Sequence, residues 1–197
     1  MSSKLIESHV ALTKNLIKKE FIHLYEKKGL DKITVSEICQ SCGISRSAFY
    51  QHFDDKFDVL ETIETEIIEE LEQLNQNMHE IPLKNTDTGI PLWTETAAYI
   101  SEKRDFIRPL IATPGEPLFI HRWSALIKQT IIRRLKADRI LNEDFELVAY
   151  TMAAAIIGLY EYWFIHKPQL TPKEIAEKGS RLLWSAFYEM ENNDSLL

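Results

Sequence analysis

An all-α fold is what this 197-residue chain predicts, on three observations. Apolar residues recur at spacings of three and four through long stretches, no segment alternates with period two, and helix-start and helix-stop signals fall between those stretches. Within that class the chain divides into an N-terminal three-helix head over residues 1–60 and a helical body over residues 61–197, joined by a long helix.

The elements follow in chain order. Ile17, Phe21, Leu24 and Tyr25 share one helical face, so a first helix covers about residues 8–28 and stops at Gly29. Thr34 and Glu37 form a capping box that opens a second helix, which Gly43 ends. Ser45 caps a third at once. Two short helices joined through Gly43, Ile44 and Ser45 are the helix-turn-helix pattern. From Lys56 to about His79 the spacing of Leu60, Ile63, Ile67, Leu71, Leu74 and Met78 predicts a long helix. Between Glu61 and Glu80 it holds seven Glu and no Lys or Arg, which reads as a solvated acidic face. Pro82, the run from Asn85 to Pro91, and Pro114, Gly115 and Pro117 interrupt the pattern, leaving helices at about 92–102, 104–112 and 117–138. Asn142 can cap a helix reaching about Ile165, and Thr171-Pro172-Lys173-Glu174 opens the last with cap, N1 proline and N3 acid together.

Hydrophobic residues at 45% and charged residues at 27% suit a folded domain rather than a disordered chain. The N-terminus shows no apolar stretch followed by a small-residue cleavage site, and two cysteines are too few for a disulfide framework, so a cytoplasmic address is expected. The net charge of -7 is unevenly distributed. Residues 1–60 hold nine Lys/Arg against eight Asp/Glu, whereas residues 61–197 hold fourteen against twenty-two. A near-neutral head on an acidic body remains compatible with nucleic-acid binding by the head.

On a helical wheel of residues 46–53, Phe49 and Phe53 fall together as core anchors. Ser47, Ala48 and Gln51 take the opposite side, Tyr50 and His52 the flanks, and Arg46 the N-terminal end. Small and hydrogen-bonding side chains flanked by polar ones suit a helix that faces base edges between two phosphate backbones. Lys56, just beyond, can pair with a phosphate. The run Thr34-Val35-Ser36-Glu37-Ile38, then Cys42-Gly43-Ile44-Ser45, Phe49-Tyr50-Gln51-His52-Phe53 and Lys56 resembles the DNA-binding domain of TetR-family regulators over about residues 10–62. The resemblance implies phosphate contacts at Thr34, Tyr50, His52 and Lys56, and base reading at Arg46, Ser47 and Gln51. Ala48 departs from the family's usual Thr and leaves a methyl that can touch thymine. Phe49 is bulkier than the usual Leu.

Four other signals carry a structural and a functional reading. Cys39 and Cys42 make a C-x-x-C, yet the six histidines supply no zinc-ligand spacing, so small buried residues are favoured over a thiol or metal site. Leu147 to Ile165 is long enough for a membrane span. Its small face (Thr151, Ala154, Ala155, Gly158) and bulky face (Met152, Ile156, Tyr160, Trp163) favour burial between two packed layers. The aromatics Trp93, Tyr99, Phe106, Trp123, Tyr160 and Trp163 are core or pocket lining, with His121 and Glu161 as pocket polar groups. The small strip of that helix, together with Ile175, Gly179, Leu182, Leu183, Ala186 and Met190 of the last helix, suits a two-fold four-helix dimer interface, as the family resemblance also implies.

No glycine-rich phosphate loop or Ser/His/Asp spacing appears, so neither an enzyme nor a cofactor or metal is expected. The leading expectation is a dimeric one-component repressor that binds palindromic double-stranded DNA and releases it when a small-molecule inducer occupies the body. The alternative is a DNA-bound structural or interaction protein in nucleoid or division control, with the same head and no inducer.

Overall fold

The structure is a computed structural model that describes the backbone of residues 2–76, 86–113, 117–137 and 145–192, and side chains over 8–76, 94–113, 118–137 and 145–183. All its regular elements there are helical: α1 (Ser2–Lys28), α2 (Val35–Cys42), α3 (Arg46–Tyr50), α4 (Lys56–Gln76), α5 (Thr86–Glu102), α6 (Arg104–Ala112), α7 (Pro117–Ala137), α8 (Phe145–His166) and α9 (Pro172–Asn192), with a 3-10 turn at Leu30–Lys32. The all-α class therefore holds. The chain forms two compact units, Met1–Ile67 with Asp105–Glu116, and Ile68–Arg104 with Pro117–Leu197.

In the first unit the helix boundaries follow from local chemistry. Gly29 ends α1 at φ +73°, a conformation open to glycine at no steric cost. Thr34 caps α2 by accepting from the Glu37 amide, while the Glu37 carboxylate accepts from the Thr34 amide at 3.0 Å. Gly43 closes the helix at φ +66°, and the Ile44 amide reaches back to the Cys39 carbonyl at 3.0 Å, which is a Schellman ending. Ser45 caps α3 by accepting from the Ala48 amide at 3.1 Å. The start of α4 carries a cap the sequence reading passed over, since Asp55 accepts from the amides of Phe57 and Asp58 while Asp58 accepts from that of Asp54. The core joins Ile17, Phe21 and Tyr25 of α1, Ile38 of α2, Phe49 and Phe53 around α3, and Val59 and Ile63 of α4, all buried. Ile107 and Leu110 of α6 are buried in this unit, and Arg108 pairs with Glu26 of α1.

In the second unit α5 packs chiefly on α9, and α7 on α8. One face of α8 is core: Val148, Ala149, Ala153, Ile156, Ile157, Tyr160, Trp163 and Phe164. Trp163 is fully buried, and its indole N–H donates to the Leu170 carbonyl at 2.9 Å, so the polar end of the ring is satisfied inside the fold. The Arg104 guanidinium lies 4.8 Å from the Phe164 ring centre and clamps the end of α8 by a cation–π contact. Thr171 and Glu174 form the expected capping box of α9, with the Thr171 amide 2.8 Å from the carboxylate.

Several expectations change. The first helix begins at Ser2 rather than near residue 8, and α5 begins at Thr86, upstream of the expected residue 92. The acidic stretch of α4 is only partly a solvated face, because Glu64 is buried, Glu66 pairs with Lys18 at 2.6 Å and Glu70 with Lys103 at 3.1 Å. Cations from α1 and from the turn after α5 account for the last two. The small face of α8 is exposed in the single chain, so this helix, which packs on α7 and α9, is not buried on both faces there. The cap proposed at Asn142 lies outside the described residues.

Candidate nucleic-acid interface

The short helix α3 is anchored from below and open above. Phe49 is fully buried and packs edge-on against Tyr50 at 5.5 Å and tilted against Phe53 at 6.0 Å between ring centres. With that side pinned, Arg46, Ser47, Tyr50 and Gln51 are exposed, while Ala48 and His52 are half-exposed. The regular helix stops at Tyr50, earlier than the wheel assumed, but the His52 and Phe53 amides both bond to the Phe49 carbonyl and carry the turn on. Gln51 therefore stays on the open side. Tyr50 is 55% exposed, a cost that core packing does not repay and that a polar partner would.

Around α3, polar groups are tied to one another rather than left loose. Arg46 donates to the Ser36 hydroxyl in the first turn of α2. Thr34 has both its amide and its hydroxyl proton on the Glu37 carboxylate, at 3.0 and 2.8 Å, and Glu37 also accepts from Lys28 at 2.6 Å. The hydrogen bond from Lys28, then those from the Thr34 side chain and backbone, hold the Glu37 carboxyl down at about 2. The Lys56 ammonium, read from sequence as a phosphate ligand, donates instead to three backbone carbonyls. In the chain without DNA, the Thr34 amide and hydroxyl and the Lys56 ammonium are therefore all engaged within the protein.

Cys39 is buried and Cys42 half-buried, with its thiol 3.9 Å from the Leu16 carbonyl. Desolvation, followed by the charge of Glu20, pushes the Cys42 thiol up to about 11. That environment disfavours the thiolate needed for redox or metal chemistry.

In the second unit the expected pocket residues separate. Trp123, Tyr160 and Trp163 form a buried aromatic column, with Trp123 and Tyr160 stacked at 5.3 Å, and Tyr99 is half-buried. Burial pushes the Tyr160 hydroxyl far above the usual tyrosine range. His121 and Glu161 are exposed rather than turned into that column, because they fall on the outward faces of α7 and α8. Phe106 belongs to the other unit, and the Trp93 side chain lies outside the described ones.

The expected dimerisation residues also divide. Thr151, Ala154, Ala155 and Gly158 are exposed along α8, flanked by exposed Leu147, Tyr150, Tyr162 and Ile165. A Cβ added at Gly158 would meet nothing within 4 Å. On α9, however, Ile175 and Gly179 are buried within the chain, Leu183 is half-buried and Leu182 is exposed. Ile175 and Gly179 serve internal packing, since α9 lies chiefly on α5. The side chains of Ala186 and Met190 lie outside the described ones.

Comparison with known proteins agrees with this architecture. The profile of the bacterial regulatory proteins of the TetR family matches residues 22–63, and that of a transcriptional regulator C-terminal region of the same family matches residues 90–184. The HTH-type transcriptional regulator YerO of Bacillus subtilis is 49% identical over 43 residues, which cover 22% of this chain and 15% of that protein. The chain spans less than half the length of the curated relatives it matches. A TetR-family regulator from Syntrophomonas wolfei superposes with TM-score 0.70 at 14% identity, over 95% of this chain and 98% of that one. FadR of Thermus thermophilus, a TetR-family repressor in complex with lauroyl-CoA, does so with TM-score 0.56 at 21% identity, over 86% and 92%. These two show a shared fold. With both family profiles matching, across the head and most of the helical body, the chain belongs to the TetR family of DNA-binding transcription regulators.

Proposed function

We propose that this chain is a one-component, ligand-responsive repressor that binds a palindromic operator as a homodimer. The exposed strip on α3 carries the reading: Arg46, Ser47, Ala48 and Gln51 face outward from a helix whose opposite side is locked by Phe49 and Phe53. Those four residues read base edges in the major groove, and Tyr50 and His52 on the flanks meet phosphates. The head over residues 1–60 supplies this contact, and the body over 61–197 supplies dimerisation and the inducer site, in the cytoplasm.

One head covers a single half-site, so affinity requires two heads about 34 to 36 Å apart on successive turns of the same DNA face. The exposed apolar strip of α8 is the surface that brings two copies together. An inducer acts by favouring a conformer whose two reading helices are wrongly spaced. FadR of T. thermophilus holds an acyl-CoA, and the aromatic column of Trp123, Tyr160 and Trp163 suits an apolar ligand beside it rather than a strongly polar one.

The test is selection of bound duplexes from a random pool, followed by thermal melting and DNA binding against a ligand panel that includes acyl-CoAs. A palindromic site and a compound that both raises the melting temperature and weakens DNA binding are expected. Recovery of no preferred sequence would defeat the reading. A preferred site with no responsive compound would leave a DNA-bound architectural protein.

A further inference from the structure

Lys56 is the first residue of α4, and its ammonium donates to the carbonyls of Leu30 at 2.8 Å, Asp31 at 3.2 Å and Ile33 at 3.0 Å. An ammonium has three N–H donors, and all three are used. The acceptors lie in and just after the 3-10 turn that leads into α2, where the carbonyl end of a helical turn carries partial negative charge. The side chain is half-buried, and the Ile33 side chain beside its acceptors is buried.

The position of this tether matters more than its strength. Lys56 lies just after α3, and residues 30–33 lie just before α2, so the ammonium closes a ring of chain that contains the whole helix-turn-helix. A phosphate at Lys56 would have to strip a donor from one of these three carbonyls. The Lys28 ammonium of α1 is itself held by Glu37.

Resting on the DNA-binding reading above, we propose that Lys56 is a positioning residue: it serves operator binding by fixing the entry of α2 to the start of α4, with α3 held between them, and not by neutralising a phosphate. Three acceptors grouped around one nitrogen call for a tetrahedral ammonium. A planar guanidinium keeps the charge and the reach to a phosphate but cannot aim three donors from one point.

The experiment uses the full chain, the duplex recovered by selection, and two variants, Lys56→Met and Lys56→Arg. Affinity is measured as a function of salt, with the active fraction fixed by stoichiometric titration, and amide hydrogen exchange is followed in the DNA-free protein. Both variants should bind on the order of tenfold more weakly per active molecule. The salt slope of Lys56→Met should equal that of the wild type, and amides over residues 33–38 should exchange faster in both. A slope lowered by about 0.9, the value for one lost phosphate contact, would overturn the proposal. So would wild-type affinity in Lys56→Arg, which also carries the test should Lys56→Met fail to fold. If the wild type selects no duplex, it is the DNA-binding reading that fails, and unchanged exchange in the variants would still overturn the tether on its own.

Discussion

Arg46, the first residue of α3, donates from its guanidinium to the hydroxyl of Ser36 in the first turn of α2. The bond runs between the two helices of the helix-turn-helix and orients the guanidinium beside the proposed reading surface. A guanidinium has five N–H donors, so one bond to Ser36 orients the group without exhausting it. Arg46→Ala and Gln51→Ala should each relax sequence preference at one base pair, costing about 1 to 3 kcal/mol there. Ser36→Ala should relax the same base pair as Arg46→Ala, by less, because the arginine remains but is less well aimed. Tyr50→Phe should weaken all sequences alike. Competition binding against single-base operator variants reads these outcomes, and equal losses on specific and random DNA for Arg46→Ala and Gln51→Ala would overturn the assignment.

Glu37 gives the head a pH dependence whose sign is fixed. Its carboxyl is held at about 2 in the folded chain, against 4.5 for an unperturbed glutamate, first by the hydrogen bond from Lys28 and then by those from Thr34. Between those values the unfolded chain binds the extra proton, so stability rises with pH across the window. The contribution is complete above about pH 4.5 and lost as the pH falls towards 2. Glu37→Gln should therefore melt below the wild type at neutral pH, with the gap narrowing through this window. A gap constant from neutral pH down to about 2 would mean that the carboxylate contributes nothing as a charge.

The same residues show what the sequence makes legible. Caps are local: Thr34 with Glu37, Gly43, Ser45, and Thr171 with Glu174 act over three to five residues of chain, so each was readable where it stands. The outward set on α3 was readable because a helix has one period and two large aromatic anchors fix its phase. Partners remote in sequence were not readable. The carbonyls that hold Lys56 lie 23 to 26 residues away, and Lys18, which pairs with Glu66, is 48 residues from it. Periodicity also identifies an apolar face without saying what covers it. Hence Ile175 and Gly179, expected at a dimer interface, pack inside the chain, while the small strip of α8 stays exposed.

The two cysteines should be chemically quiet. With its thiol raised to about 11, Cys42 carries far less thiolate at neutral pH than an ordinary cysteine. Its alkylation by iodoacetamide should be roughly 10- to 100-fold slower than that of a free thiol. Cys39 is buried and should react only on unfolding. The double variant Cys39→Ala with Cys42→Ala should keep DNA binding and metal content unchanged. Fast labelling of the native protein, or a stoichiometric zinc signal in native mass spectrometry that the double variant loses, would restore the case for a functional pair.

Dimerisation should depend on the exposed strip of α8. Thr151, Ala154, Ala155 and Gly158 lie on one open face between exposed Leu147 and Tyr150 at one end and Tyr162 and Ile165 at the other. Small residues permit close backbone approach, and the large apolar ones at both ends would gain by leaving water. Gly158 tests the strip cleanly, because a Cβ there meets nothing within 4 Å in the single chain, so a larger residue should leave the protomer folded. In a dimer packed through this face, Gly158→Arg would push the helices apart and bury an unpaired charge. Gly158→Ala adds one methyl and should be far milder. We expect Gly158→Arg to run as a monomer in light scattering with wild-type helicity, and its operator affinity to fall towards the non-specific level, because a lone head reads one half-site. Should Gly158→Arg remain dimeric and bind its operator undiminished, the two-fold axis lies on another face of the body.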